Sequence, residues 1–389
     1  MQSLRLSCWE RFGRLTMPTR ADEDWRRLTL SGFDLSNVPM NPPVIRAGSL
    51  VTSPIPADLA RQGLFLGDLE TAAQVLPEIV RTHAAPPVEW QGSGKFEELT
   101  RALWNCSAFL YVPKGMKVLL PLQSLFQVTS KIPSLLPRTL VVVDEGASLT
   151  YMDEYASTAG LGPKFSSALV ELYIKEGADL TYVHLQRWGK ETTHTEMQKA
   201  ILGRHAKLVN LTVGLGAGAS KSYVESLLAG TGSSSRMLGI VVGGEDQEFD
   251  YQTLQDHTAP QTMSDLLYKT ALKDRARSLY SGLIRVGKSA QRTDAYQANR
   301  NLLLSGQAKA DSIPKLEILA DDVRCTHGAT VGPVDEDQRF YLEARGMSES
   351  EAERLIVEGF FEPIFEQARL EASWHERLAG LVNEKLNSI

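Results

Sequence analysis

The feature that most constrains this 389-residue chain is a near-verbatim internal repeat. Glu145-Gly146-Ala147-Ser148-Leu149-Thr150-Tyr151 returns as Glu176-Gly177-Ala178-Asp179-Leu180-Thr181-Tyr182, thirty-one residues later. Fainter echoes follow at His205-Ala206-Lys207-Leu208, Arg275-Ala276-Arg277-Ser278-Leu279 and Gln307-Ala308-Lys309-Ala310. Successive echoed alanines are 28 (178 to 206), 70 (206 to 276) and 32 (276 to 308) residues apart. The wide gap has room for two irregular repeats, one at Ser235-Arg236-Met237-Leu238. A period near thirty with strand-forming residues and no helical stripe between copies means stacked β-coils, each burying its apolar face only against its neighbours. The expected fold is mainly β, a right-handed parallel β-helix (a β-solenoid) over residues 107–333. Its open ends need caps, and helices at both ends of the chain can supply them.

Residues 1–106 read as an N-terminal extension and helical region. Arg5, Arg11, Arg14 and Arg20 against a single acid, Glu10, faintly suggest an organelle transit segment over residues 1–20. Met17-Pro18 reads equally as a start, which would make the preceding residues an upstream extension, and this is the preferred reading. Asp68 can cap a helix that Pro77 bends or splits. A loop follows (Ala84-Ala85-Pro86-Pro87 and Gln91-Gly92-Ser93-Gly94), then a short helix over Lys95 to Trp104 burying Phe96, Leu99 and Leu103. Phe109-Leu110-Tyr111-Val112 and Val118-Leu119-Leu120 read as the first strands. Residues 334–389 form a C-terminal helical region. Asp335 with Gln338, and Ser348 with Glu351, are capping boxes. The second helix carries an apolar face of Ala352, Leu355, Ile356 and Phe360, with a kink expected at Pro363.

Composition limits the function. With 43% hydrophobic and 23% charged residues the chain is globular. No apolar run approaches the ~18 residues that span a bilayer, and a net charge of −6 argues against nucleic-acid binding. Three scattered cysteines (Cys8, Cys106, Cys325) make no disulfide framework and suit a reducing, cytoplasmic setting. They are also too few to hold an iron–sulfur cluster within one chain.

Two motifs invite enzymatic readings. Gly282-Leu283-Ile284-Arg285-Val286-Gly287-Lys288-Ser289 matches the Walker A pattern, and Leu140-Val141-Val142-Val143-Asp144-Glu145 resembles the acid-ended strand of ATPases. Ile284 and Val286 favour strand over a phosphate loop, however, no helical stripe follows, and the acid strand lies upstream, reversed from the usual order. Asp246, Asp250 and Asp256 suggest the acidic cluster of a β-helix polysaccharide enzyme, but nothing orders them into a ladder. The histidines His83, His184, His194, His205, His257 and His375 lack ligand spacing.

Cys325 and His327 are different. On an extended strand they share a face, and a thiolate beside an imidazole suits iron, zinc or copper. Two ligands do not complete a tetrahedral site, so the pair reads either as half of a shared site or as a buried cysteine beside a hydrogen-bonded histidine.

The surroundings of that pair carry a resemblance. Ser281-Gly282-Leu283-Ile284, Asp294-Ala295-Tyr296-Gln297-Ala298-Asn299, Leu302-Leu303-Leu304-Ser305, Leu316-Glu317-Ile318, Ala320-Asp321-Asp322-Val323, Cys325-Thr326-His327-Gly328-Ala329-Thr330 and Asp337-Gln338-Arg339-Phe340-Tyr341-Leu342 resemble the SufB/SufD family of SUF-system iron–sulfur cluster assembly proteins, its SufD branch in particular. Ala108-Phe109-Leu110-Tyr111-Val112-Pro113-Lys114-Gly115 is similar to the start of the family's β-helix. The resemblance covers residues 100 to 365 well and the compact N-terminal part loosely. It implies a non-catalytic scaffold subunit that pairs with a SufB-like homologue, or with itself when isolated. It also implies docking of a SufC-like ABC ATPase on the C-terminal helices, through Leu355, Ile356 and Phe360. A transient cluster would assemble at the interface of the two homologues, at the positions matching Cys325 and His327.

Overall fold

The computed structural model describes residues 2–26, 33, 35–38, 49–85, 94–158 and 160–389; Pro86, Pro87 and Gln91 to Ser93 of the expected loop lie outside these. Strands β3 (Cys106–Val112), β4 (Leu122–Val128), β5 (Ile132–Leu135), β6 (Pro137–Val143), β7 (Ser148–Ser157), β8 (Pro163–Ile174) and β9 (Asp179–Arg187) begin a parallel β-solenoid. It continues through β10 (Thr193–Leu202), β11 (Lys207–Gly214), β12 (Ala219–Leu228), β13 (Ser234–Gly243), β14 (Glu248–His257) and β15 (Met263–Leu272), and closes with β16 (Arg277–Val286), β17 (Asp294–Leu303), β18 (Lys309–Ile318) and β19 (Arg324–Pro333). Alternate strands belong to two facing sheets, β4-β7-β9-β11-β13-β15-β17-β19 and β18-β16-β14-β12-β10-β8-β6-β3, giving eight coils. Two short strands from the N-terminal region, β1 (Ser49–Thr52) and β2 (Phe65–Gly67), close the first edges antiparallel, on β4 and β3. The helical reading of that region does not include these two strands. Val118-Leu119-Leu120 is not strand: beyond a single bridge at Lys117 the chain pairs again only after Pro121, which has no N–H to give a ladder, and Leu119 stays exposed.

The coil corner explains the repeat. Ala147, Ala178, Ala206, Ser233, Thr262 and Thr293 are buried at the turn into one sheet, and the carbonyl of each accepts from the strand start one coil on, as in Lys207 N to Ala178 O and Met263 N to Ser233 O. Directly before each sits a left-handed residue: Gly146, Gly177, His205, Gly232, Gln261 and Arg292. Ala276 and Ala308 occupy the other corner, leading into β16 and β18. The echo at Ala276 therefore belongs to the opposite edge, and the gap of 70 is two and a half coils. Both corners select small residues because the backbone turns against a buried neighbour.

Helices cover the flanks. Helix α1 (Gln2–Arg14), the segment expected as an extension, buries Cys8 and Phe12 against α5 (Lys95–Leu103). Between them come α2 (Ala57–Arg61), α3 (Leu69–Val75), whose cap is Asp68, and α4 (Pro77–Ala84), split off at Pro77. After the solenoid, Asp335 caps α6 (Glu336–Glu343), and the Ser348–Glu351 capping box opens α7 (Glu349–Ala368), followed by α8 (Ala372–Asn387). Val357, Phe361, Ile364, Phe365, Leu378 and Val382 pack on the outer faces of Leu211, Val213, Leu238 and Ile240. No helix of the described residues is long and apolar enough to cross a membrane.

The space between the sheets holds apolar clusters in the early coils (Leu110, Leu172, Leu180, Leu202) and in later ones (Met237, Phe249, Leu266), with polar groups among them. On β7, Asp153 accepts from the hydroxyls of Tyr151 (2.6 Å) and Tyr182 (3.1 Å). Burial pushes its carboxyl up to about 6 from an ordinary 3.8, against those hydrogen bonds. A raised folded-state value favours folding below the unfolded pKa and loses that contribution as pH rises through about 6. Asp153→Asn removes the titration. Denaturant melts are expected to show the variant gaining on the wild type by up to about 3 kcal/mol between pH 4 and pH 7.5. An unchanged difference across that range would contradict the assignment.

Candidate functional site

The end of the solenoid at the last coil is uncovered. The sheet orders stop at β18 and β19, so among the described residues each ten-residue strand has an outer edge without a paired strand. In the coil before it, Ile284, Val286, Ala295, Gln297 and Asn301 are buried. Their register partners on the last coil are Leu316, Ile318, Cys325, His327 and Val331. Here Leu316, Ile318 and Val331 are 39%, 38% and 46% exposed, and Leu319 is 62% exposed. Long exposed apolar edges are what natural sheets avoid unless something pairs with them.

Cys325 and His327 lie on this coil, at the sequence-expected spacing. Cys325 is half-buried against Val286, Ala290 and Ala295, and His327 is exposed. The two therefore share the face that continues the row of Ala295 and Gln297. Burial pushes the Cys325 thiol above its ordinary 9.0, and Asp294 adds to this. Asp294 is itself engaged by the Arg324 guanidinium. A thiol held neutral is a poor nucleophile, whereas an incoming metal ion deprotonates it and binds it. The arrangement suits ligation better than covalent catalysis.

A second exposed feature lies between α6 and α7. Tyr341 and Leu342 face Leu355 and Ile356 across a shallow groove rimmed by Asp335 and Asp337, beside Phe340, which is 70% exposed. Phe360 does not join them. It packs against the solenoid, and Lys269 donates to its carbonyl and lies 4.8 Å from its ring. The solenoid takes the stripe of Val357, Phe361 and Ile364, which turns Leu355 and Ile356 outward.

The competing motifs dissolve. Gly282 to Val286 lies within β16, paired on both sides, and the residues after it turn directly into β17. A Cβ at Gly282 would collide with the Tyr280 hydroxyl, so the glycine is there for packing. The three acids are separate: Asp246 pairs with Arg275 (2.7 Å), Asp250 with Lys221 (2.7 Å) and Asp256 with Arg285 (2.6 Å). Among the histidines, His257 bonds Thr262 and Ser264, and His83 contacts the Ile79 carbonyl. His184 and His194, which showed no ligand spacing in sequence, do come together around Glu196. Coil closure makes that meeting, and only the alternation His194-x-Glu196 foreshadows it.

Comparison with known proteins shows the family. A family model described as "SUF system FeS cluster assembly, SufBD core domain" matches residues 126–360. The chain is similar to the iron–sulfur cluster assembly protein SufB of Bacillus subtilis, 32% identical over 317 residues, covering 81% of this chain and 67% of that one. It is also similar to iron–sulfur cluster assembly SufBD family proteins of Staphylococcus epidermidis and Staphylococcus aureus, each 29% identical over 314 residues, with the same coverage.

Proposed function

This chain belongs to the SufBD family of the SUF iron–sulfur cluster assembly system, and from that premise we propose that it is a SufD-type, non-catalytic scaffold subunit. The observation that carries the proposal is the uncovered last coil with Cys325 and His327 on it. A SufB-like homologue pairs its own last coil there, buries the exposed Leu316, Ile318 and Val331, and completes the ligand set for a transient cluster. The cluster is cargo, passed on rather than kept. An isolated chain has the same open edges to offer a second copy of itself. The groove of Tyr341, Leu342, Leu355 and Ile356 docks the SufC-like ABC ATPase. The SufD reading over SufB is supported by the small number of cysteines, three, and these stand unpaired, as suits a reducing, cytoplasmic setting.

Co-expression with both partners tests the two surfaces separately. Ile318→Lys with Val331→Lys is expected to release the homologue and keep the ATPase. Leu355→Asp with Ile356→Asp is expected to do the reverse, each by about tenfold or more in affinity. If folded variants of either pair retain both partners, the surface it marks is wrong.

A further inference from the structure

We propose that the solenoid interior holds a second, separate metal site, formed by His184, His194 and Glu196, for one divalent first-row cation such as Zn2+ or Fe2+. His184 lies on β9 in one sheet, and His194 and Glu196 lie on β10 in the other, so the three meet across the space that one coil encloses. All are buried, His184 and His194 completely. Nε2 of His184 is 3.0 Å and Nε2 of His194 is 3.5 Å from the same oxygen, Oε2 of Glu196, and the three ligand atoms lie within 4.8 Å of one another. Ligands around tetrahedral Zn2+ sit ~3.3 Å apart, given Zn–N distances of ~2.0 Å.

Hydrogen bonding leaves this cluster largely unsatisfied. Among the described residues neither Nδ1 has a hydrogen-bond partner and neither Nε2 is aligned for one, although buried polar groups are nearly always satisfied. The other oxygen of Glu196 is already engaged, accepting from the Gln198 amide. Aromatic rings fix the imidazoles from outside. Tyr155 meets His184 edge-to-face at 4.8 Å and His194 at 6.1 Å, and Trp188 stacks on Tyr155 at 5.8 Å.

Two imidazoles and one carboxylate suit zinc or iron rather than magnesium or calcium. Three protein ligands leave one position for water. The enclosure implies that the ion is taken up as the chain folds.

The test is metal retention by the full chain, unfolded in chelator and refolded with one equivalent of Zn2+, or of Fe2+ without oxygen, then desalted through chelator. The wild type and a Cys325→Ser/His327→Ala variant are both expected to retain about one ion per chain, and X-ray absorption of the zinc form should show nitrogen and oxygen neighbours without sulfur. His184→Gln with His194→Gln is expected to lose the ion. Should that variant not fold, the wild-type absorption spectrum decides alone. Failure of the wild type to retain either metal, a sulfur neighbour, or retention in a folded His184/His194 variant would overturn the site. A failure there leaves the interface account standing, since the two sites share no residue.

Discussion

Replacing Glu171 with glutamine is expected to cost the chain about 3–5 kcal/mol of stability, as breaking a buried ion pair on one side does. Glu171, on β8, is fully buried between two guanidiniums: Arg101 from α5 at 2.9 Å and Arg138 from β6 at 2.7 Å. Arg101 also pairs with Glu97 at 2.6 Å, and Arg138 donates to the Ala84 carbonyl at the end of α4. One carboxylate thus fastens two helices of the N-terminal layer to the solenoid. Burial pushes Glu171 up, and Arg138 and Arg101 outweigh it, holding the carboxyl below its ordinary 4.5. That stabilisation is present above the unfolded pKa and is lost as pH falls through the folded one. Glutamine keeps the shape but leaves two buried cations facing each other. Chemical denaturation should show the drop, while Glu176→Gln in the exposed pair with Arg204 should leave the curve unchanged. Equal stability of the Glu171 variant and the wild type would mean that the layer is held by its apolar contacts alone.

How far the sequence reveals this molecule depends on whether a constraint is local. The solenoid is legible between 145 and 182 because glycine fills the left-handed corner twice and alanine follows it twice. Further on, His205, Gln261 and Arg292 take the left-handed position, and Ser233, Thr262 and Thr293 take the small one. The backbone demand is unchanged, but the letters hide it. Helix caps are readable for the same reason: Asp68, Asp335 and Ser348 act within three residues of themselves. The orientation of α7 is not local. Helical spacing groups Phe360 with Leu355 and Ile356, and the solenoid surface selects Val357 and Phe361 instead. Cys325-Thr326-His327 is visible as a strand pair, yet its exposure comes from where the stack stops. The His184, His194 and Glu196 meeting is the least legible, because it exists only once two strands of a coil face each other.

The second large effect concerns Cys325 and His327, where the account is most exposed to refutation. His327 is exposed and Cys325 is only half-buried against the coil beneath, so an isosteric change at 325 and truncation at 327 leave that coil packed. Cys325→Ser exchanges a soft donor for a hard one at nearly constant volume, and His327→Ala removes an exposed imidazole. The decisive measurement is iron and acid-labile sulfide per assembled complex with the SufB-like and SufC-like partners, taken beside the melting temperature of the same sample. The variants are expected to assemble with unchanged stoichiometry and melting temperature while cluster yield falls roughly tenfold or more. Full cluster yield in both variants, or a yield that falls only in step with lost stability, would contradict a shared assembly site at the open end of the solenoid.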